Sequence, residues 1–266
     1  MKPQALILQA HGTNRDYDVA EALTLAGADP HPVPLNDLRA GKKRFADYQM
    51  LVVAGGFSYA DSLGAGKLLA LDLNSYFNEE ISTFVESGKP VIGICNGFQA
   101  LVKSGILPGE SPSPSGRGGR GEGATLTFNA EGHFECRWVN LAPVSQTCIW
   151  TKDLEDTIFC PIAHGEGNFQ TSELFPLSSF IANDQIALTY IHADGSPANG
   201  EYPINPNGSM LDIAGICNPQ GNVLGLMPHP ENHIYPHQHP QWTRGMKGNS
   251  GLVLFENGVK YAGQLR

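Results

Sequence analysis

One cysteine stands where an apolar run gives way to a helix-like repeat. In "KPVIGICNGFQALVKSGIL", residues 89–107, Cys95 has Gly93 two residues before it and Gly97 two residues after it. This is the pattern of the G-x-S-x-G nucleophile elbow with sulfur in place of oxygen. A strand that turns sharply into a helix crowds its neighbours, so the flanking positions must be small. The unpaired N–H groups and positive dipole end of the helix favour an anion there, and the thiolate is the form that attacks a carbonyl carbon. The same pattern also fits a buried cysteine beside helix-packing glycines. The residues that would have to work with Cys95 decide between the two.

A base is available in "LGLMPHPENH", which carries His229 and Glu231. Pro230 biases His229 toward extended backbone. Residues i and i+2 of an extended segment project to the same side, about 6.6 Å apart. Glu231 would then hold one imidazole nitrogen while the other faces the thiol, giving a triad in the chain order Cys95, His229, Glu231. An oxyanion site is also available. "MLVVAGGF" ends in Gly55 and Gly56, and the N–H of Gly56 together with that of Asn96 would hold a tetrahedral oxyanion. Read blandly, the glycine pair is a tight turn.

Three other motifs match on paper and fail on context. Gly116, Gly118 and Gly121 spell G-x-G-x-x-G, but a Pro/Ser tract precedes them where a dinucleotide site needs a strand. "DSLGAGKLLA" lacks the first glycine and the magnesium-binding hydroxyl of a phosphate loop, having Asp61 and Leu68 there. It is read as a Gly-rich turn leading into a helix. His229, His233, His237 and His239 suggest a metal site, but Pro230, Pro236 and Pro240 interrupt the helix that would align them. Apart from His229, these histidines are read mostly as surface or hydrogen-bonded loop residues.

The elements that must position these residues alternate through the first half. "QALILQA" is a strand. "DYDVAEALTLAGA" has helical spacing, with Asp16 as N-cap and Gly27 as stop. "PHPVPL" is extended and "YQMLVVAGGF" is a buried strand. "NEEISTFVESG" is a helix capped by Asn78 and ended by Gly88, "KPVIGI" a strand, and "NGFQALVKSGIL" a helix. Such alternation implies a parallel sheet covered by helices on both faces. Beyond about residue 124, strand-like pieces succeed one another: "ATLTFN", "FECRWVNL", "DTIFCPIA", "QIALTYI", "MLDIAGICN" and "GNVLGLM". They are read as an antiparallel extension whose last strands return to the same sheet. The Gly/Ser/Pro-rich segment 109–123 cannot bury enough apolar surface to offset its ordering entropy and is expected to be a surface loop.

Bulk properties narrow the function. With 266 residues, 41% of them apolar, the chain can bury a sizeable core. Its net charge of −9 and lack of a basic stripe argue against nucleic acid as a partner. No apolar run approaches the roughly 20 residues of a membrane span, and nothing resembles a signal peptide, so a cytoplasmic location is expected. The five cysteines are odd in number and show no C-x-x-C spacing, which fits neither a disulfide framework nor a zinc ribbon.

Taken together, the strand ending in Gly-Gly-Phe, the "GICNGFQ" elbow and the late "HPE" resemble the class I, triad-type glutamine amidotransferases over nearly the whole chain. Finer strings resemble one branch of that family, the glutaminase subunits of purine biosynthesis. These are "GTN", "GGFSYAD", "CNGFQALVKSGILPG", "PIAHGEGNF", "NPNGSMLDIAGICNPQGNVLGLMPHPE" and "GLVLFENGVKYA". The resemblance implies a single α/β domain over 1–266, a three-layer α/β/α sandwich of the flavodoxin-like kind. Its sheet would be mostly parallel with an antiparallel extension. It implies that Cys95 attacks the carboxamide of L-glutamine and that His229, oriented by Glu231, is acid and base. Gly56 and Asn96 would donate to the oxyanion. Gly55, Phe57 and Gln99 would lie at the glutamine pocket, and His164 of "AHGEG" would contact glutamine or the partner surface. No cofactor or metal is expected on this chain. ATP and magnesium would belong to a large synthetase partner, joined in many members by a small third subunit. Ala60 stands where the family usually has glycine, and Arg15 where a cysteine is common; neither touches the triad. The rival readings are a glutaminase serving another synthetase, a cysteine hydrolase with a similar elbow, and a non-catalytic binding protein of the same fold.

Overall fold

In the computed structural model the described residues are 2–109, 123–173 and 175–265. The interior of the Gly/Ser/Pro-rich segment, with Gly116, Gly118 and Gly121, lies outside them.

Eleven strands are present among the described residues: β1 (Gln4–Gln9), β2 (Asp29–Pro34), β3 (Met50–Val53), β4 (Val91–Ile94), β5 (Ala124–Thr127), β6 (Glu135–Pro143), β7 (Ile158–His164), β8 (Asn168–Thr171), β9 (Ile186–Ile191), β10 (Ile213–Cys217) and β11 (Val223–Leu226). Nine form one sheet in the order β2-β1-β3-β4-β11-β10-β9-β6-β7. The first five pair in parallel and the last four continue antiparallel. Their parallel order is that of the flavodoxin-like doubly wound folds, in which ligands sit beyond the carboxyl ends of the strands. β3, β4 and β11 are buried along their whole length, because helices cover both faces. α1 (Asp16–Ala26) and α7 (Leu252–Ala262) pack together on one side. α5 (Asn96–Lys103), with α3 (Lys67–Tyr76) beside it, covers β3, β4 and β11 on the other. The remaining helices are α2 (Leu35–Arg39), α4 (Asn78–Glu86) and α6 (Leu177–Ala182).

The structure departs from the sequence expectations at several points. "ATLTFN" does not join the main sheet: β5 pairs with β8, a strand the pattern does not reveal, in a separate two-stranded sheet. Asp16 and Asn78 do not cap their helices; each is the first helical residue, preceded by Arg15 and Phe77. Asp16 is instead buried and accepts from the Gln9 side chain. Gly27 ends α1 at φ 99°, in the left-handed conformation that closes helices without a Cβ penalty. No helix among the described residues is long and apolar enough to cross a membrane.

Candidate active site

Sheet order brings the separated motifs together. β3, β4 and β11 are adjacent and parallel, so their carboxyl ends deliver Gly55–Gly56, Cys95 and the segment that leads to His229 to one edge of the sheet.

Cys95 occupies the turn between β4 and α5 at φ 51°, ψ −107°. That conformation is rare for a residue with a Cβ, and it persists only where its surroundings hold it. The surroundings here are tight. The Cys95 N–H donates to the Leu226 carbonyl of β11 at 2.8 Å, and its carbonyl accepts from Gln99 N–H at 3.0 Å, opening the helix. A Cβ at Gly97 would lie 1.8 Å from the Val53 carbonyl oxygen, and one at Gly93 would lie 2.5 Å from Leu101 Cδ1. The thiol is buried and points at the Ala163 carbonyl of β7, 3.7 Å away.

His229 Nδ1 lies 2.7 Å from Glu231 Oε1, and both side chains are buried. The remaining ring nitrogen is not taken by Glu231, and His229 Cε1 and Cys95 Cβ both lie beside Gly55, 2.9 and 3.5 Å from where its Cβ would stand. Burial disfavours the charged imidazole. The Glu231 carboxylate and the Cys95 sulfur outweigh it, and His229 is pushed up to about 10. The pair does not sit on the extended segment expected from the sequence. Instead Pro230–Asn232 form a 3-10 turn, with Pro230 at its first position, where its fixed φ suits the turn. The contact is made across that turn. Glu231 Oε2 is buried without a hydrogen-bond partner.

A Cβ at Gly55 would stand 2.9 Å from His229 Cε1 and 3.5 Å from Cys95 Cβ, so this glycine lets the imidazole and thiol close on the strand end. Gly56 follows at φ 139° and bridges to Thr13 of the "GTN" loop. The Asn96 N–H opens α5 and belongs to the helix's unsatisfied first turn. Its side chain ties the loop after β3 to the start of α5. Oδ1 accepts from Ser58 N–H at 3.0 Å, and Nδ2 donates to Asp61 Oδ1 and Gln99 Oε1, each at 3.0 Å. Burial, then the Glu166 charge, raises the Asp61 carboxyl above its ordinary value.

The other expected pocket residues differ from one another. Phe57 presents its ring to solvent, 47% exposed, while its N–H is taken by the Gly12 carbonyl. Gln99 is buried with both ends of its amide engaged, by Asn96 and by the Glu166 carbonyl. His164 is also buried, so it is not a surface residue. Its Nδ1 faces Asn129 Oδ1 at 3.1 Å and its Nε2 has no partner. Burial, with the His229 charge nearby, lowers it to about 3 and keeps it neutral. Sequence reasoning misses Ser58, Asp61 and Glu166 as site residues; they lie in the quoted strings but carry no spacing signal. Among the described residues, no three His, Cys, Asp or Glu side chains are grouped as a metal ion would need.

Comparison with known proteins identifies the family. Residues 2–262 match the family model described as CobB/CobQ-like glutamine amidotransferase domain. The chain is 54% identical to the phosphoribosylformylglycinamidine synthase subunit PurQ of Treponema denticola, over 98% of this chain and 99% of that one. It is 43% identical to the corresponding subunit of Dehalococcoides mccartyi, over 99% of each. Among solved structures it resembles a chain of PurLQS from Thermotoga maritima, with TM-score 0.72, 30% identity, and coverage of 98% of this chain and 99% of that one. A likeness of fold alone extends to a putative GMP synthase chain from Thermoplasma acidophilum, with TM-score 0.54, 13% identity, and coverage of 99% and 96%.

Proposed function

The chain belongs to the CobB/CobQ-like glutamine amidotransferase family, and from that premise we propose that it uses Cys95, His229 and Glu231 to release ammonia from L-glutamine. Its relatives with near-complete coverage are named phosphoribosylformylglycinamidine synthase subunit PurQ, and with the amidotransferase family this makes the chain the glutaminase subunit of that synthase. The observation that carries the residue assignment is the strained elbow at Cys95 facing an imidazole held by a buried carboxylate.

In this reading the Cys95 thiolate attacks the carboxamide carbon of glutamine. The carbonyl oxygen becomes an oxyanion held by the Gly56 and Asn96 N–H groups. His229, charged at neutral pH, gives its proton to the departing nitrogen, and ammonia leaves as the C–N bond breaks. The neutral imidazole then takes a proton from water, whose oxygen attacks the thioester. The second tetrahedral intermediate collapses with cleavage of the C–S bond, releasing glutamate and restoring the Cys95 thiolate beside the charged His229. Glu231 fixes the tautomer and offsets the imidazolium charge. Phe57 forms an outer wall of the pocket beside Gly55. Gln99 sets the floor through Asn96, and the unpartnered His164 Nε2 accepts an N–H from the substrate.

Free ammonia is mostly protonated at pH 7 and is then no nucleophile, so it passes to a synthetase without escaping to water. PurLQS of Thermotoga maritima supports a large synthetase partner and a small third subunit. ATP and magnesium act on the synthetase, in converting formylglycinamide ribonucleotide to formylglycinamidine ribonucleotide. All five cysteines are free thiols, which suits the reducing cytoplasm. The test is a glutaminase assay of the chain with and without its synthetase, supplied with formylglycinamide ribonucleotide and ATP. Glutamate release coupled to amidation is expected only in the complex; coupling to a different synthetase's acceptor would contradict the assignment.

A further inference from the structure

β7 is the last strand of the nine-stranded sheet, yet its outer edge is occupied. Alternate residues of a strand turn their backbone groups to the same edge. On β7 the outer set is Phe159, Pro161 and Ala163. The Ala163 carbonyl accepts from Cys95 Sγ at 3.7 Å, and the Pro161 carbonyl accepts from His229 N–H at 2.8 Å. The Phe159 carbonyl accepts from His233 Nδ1 and from Ser250 Oγ, the latter at 3.1 Å, while Phe159 N–H donates to Ser250 Oγ at 2.9 Å. Pro161, in the middle, has no N–H to leave unpaired. Three carbonyls about 6.6 Å apart along one edge therefore hold Cys95, His229 and His233.

The last two of these anchors bound the turn that carries Glu231. Asn232 N–H donates to the His229 carbonyl at 3.2 Å, and His233 N–H to the Pro230 carbonyl at 3.0 Å. Gly251 N–H closes on the His233 carbonyl at 3.0 Å. The His233 ring is buried against Trp138 and Phe159, with ring centroids 5.2 and 6.1 Å away. Of the two readings of the Pro-broken histidine segment, surface residue or hydrogen-bonded loop residue, His233 takes the second. Glu231 makes a hydrogen bond through only one of its oxygens, so its place depends on the turn.

We propose that His233 is a positioning residue for the reaction: its Nδ1–H bond to the Phe159 carbonyl pins the far end of the 229–233 turn to β7 and so keeps Glu231 and His229 aligned on Cys95. This rests on the reading of Cys95, His229 and Glu231 as the catalytic triad. The test compares His233→Phe, which keeps a ring but loses the donor, with His233→Asn, whose amide restores a donor near the Nδ1 position. Both are made in the full chain and assayed with its synthetase. His233→Phe is expected to lower kcat for glutamine by about tenfold or more, with KM within about twofold. It should slow iodoacetamide alkylation of Cys95 by a similar factor, read by mass spectrometry against exposed Cys136 in the same molecule. His233→Asn should recover most of both losses. A folded His233→Phe variant with wild-type kcat, or an Asn variant as impaired as the Phe variant, overturns the proposal. Should the Phe variant not fold, Ser250→Ala removes the neighbouring tie to Phe159. It should show the same loss in kcat to a smaller extent, and an unchanged kcat would overturn the proposal. Failure of the underlying triad is distinguishable, because it would show as glutamine turnover by Cys95→Ala.

Discussion

Gly55 lies directly under His229: a Cβ placed on it would stand 2.9 Å from His229 Cε1. The imidazole is thus confined between the end of β3 and the Glu231 carboxylate, and its contact with Cys95 depends on a missing methyl group.

Gly55→Ala is therefore expected to keep the fold and lose activity. The clash falls on a side chain, so a small shift of the ring relieves it, but a shift of about 1 Å in a reacting group costs on the order of 100-fold. Steady-state glutaminase kinetics should fall by that order while the melting temperature moves by less than about 3 °C. Gly97→Ala should do the reverse of sparing the fold. Its Cβ would meet the Val53 carbonyl oxygen at 1.8 Å, and backbone cannot rotate away, so a stability loss of about 3 kcal/mol is expected from denaturant unfolding.

Glu231→Gln tests the electrostatics of the pair. Against the opposing effect of burial, Glu231 and Cys95 push His229 up to about 10. The wild-type glutaminase rate should hold into the alkaline range and decline as pH approaches that value, where the imidazolium is lost. Removing the carboxylate should move this limb to lower pH and reduce kcat by about 100-fold or more. The linked stability has a definite sign. A folded-state value above the unfolded value of about 6.5 stabilises fully below pH 6.5 and loses that effect as pH rises through the folded value. The melting-temperature gap between wild type and variant should accordingly narrow on raising the pH from about 6.5 toward about 10.

Asn96→Asp tests the tie between the loop after β3 and the start of α5, which the proposed oxyanion site requires. The amide nitrogen of Asn96 donates to Asp61 and Gln99, and a carboxylate there would face the Asp61 carboxylate instead. Glutamine kcat should drop by about tenfold or more, with the loss easing at lower pH as the added pair takes up a proton. A pH-independent loss would point to misfolding rather than repulsion.

The elbow at Cys95 is legible in the sequence because its pattern is local. Gly93, Cys95 and Gly97 lie within five residues, and Gly93 is crowded by Leu101 and Gly97 of the helix that follows, although the crowding on Gly97 comes from Val53 of the neighbouring strand β3. The parallel half of the sheet is legible for the same reason, from alternating apolar runs. What the sequence hides is non-local. β8 is four residues long with no apolar alternation, "NFQT", and β5 leaves the main sheet to pair with it. Asp16 looks like a helix cap but is drawn inside by Gln9. The Glu231 contact is correctly paired for a wrong reason, since Pro230 starts a 3-10 turn rather than extending the chain. Gln99, placed at the glutamine pocket by the family resemblance, has its amide engaged at both ends by Asn96 and Glu166, partners that no local pattern reveals.

Ala60 takes a left-handed conformation at φ 55°, between Tyr59 and Asp61, which do the same. A residue with a Cβ is disfavoured there by roughly 1 kcal/mol. Ala60→Gly should raise stability in chemical denaturation by up to about 1 kcal/mol, reduced by the added freedom of the unfolded chain, and leave the glutamine KM unchanged.

The proposed chemistry turns on Cys95. The most direct measurement is the rate of amidation of formylglycinamide ribonucleotide by the reconstituted complex carrying Cys95→Ala, with glutamine or with ammonium salt as nitrogen source. If Cys95 is the nucleophile, no glutamine-dependent product will appear above background and the ammonia-dependent rate will equal that of wild type. Glutamine-dependent amidation at the wild-type rate would contradict it.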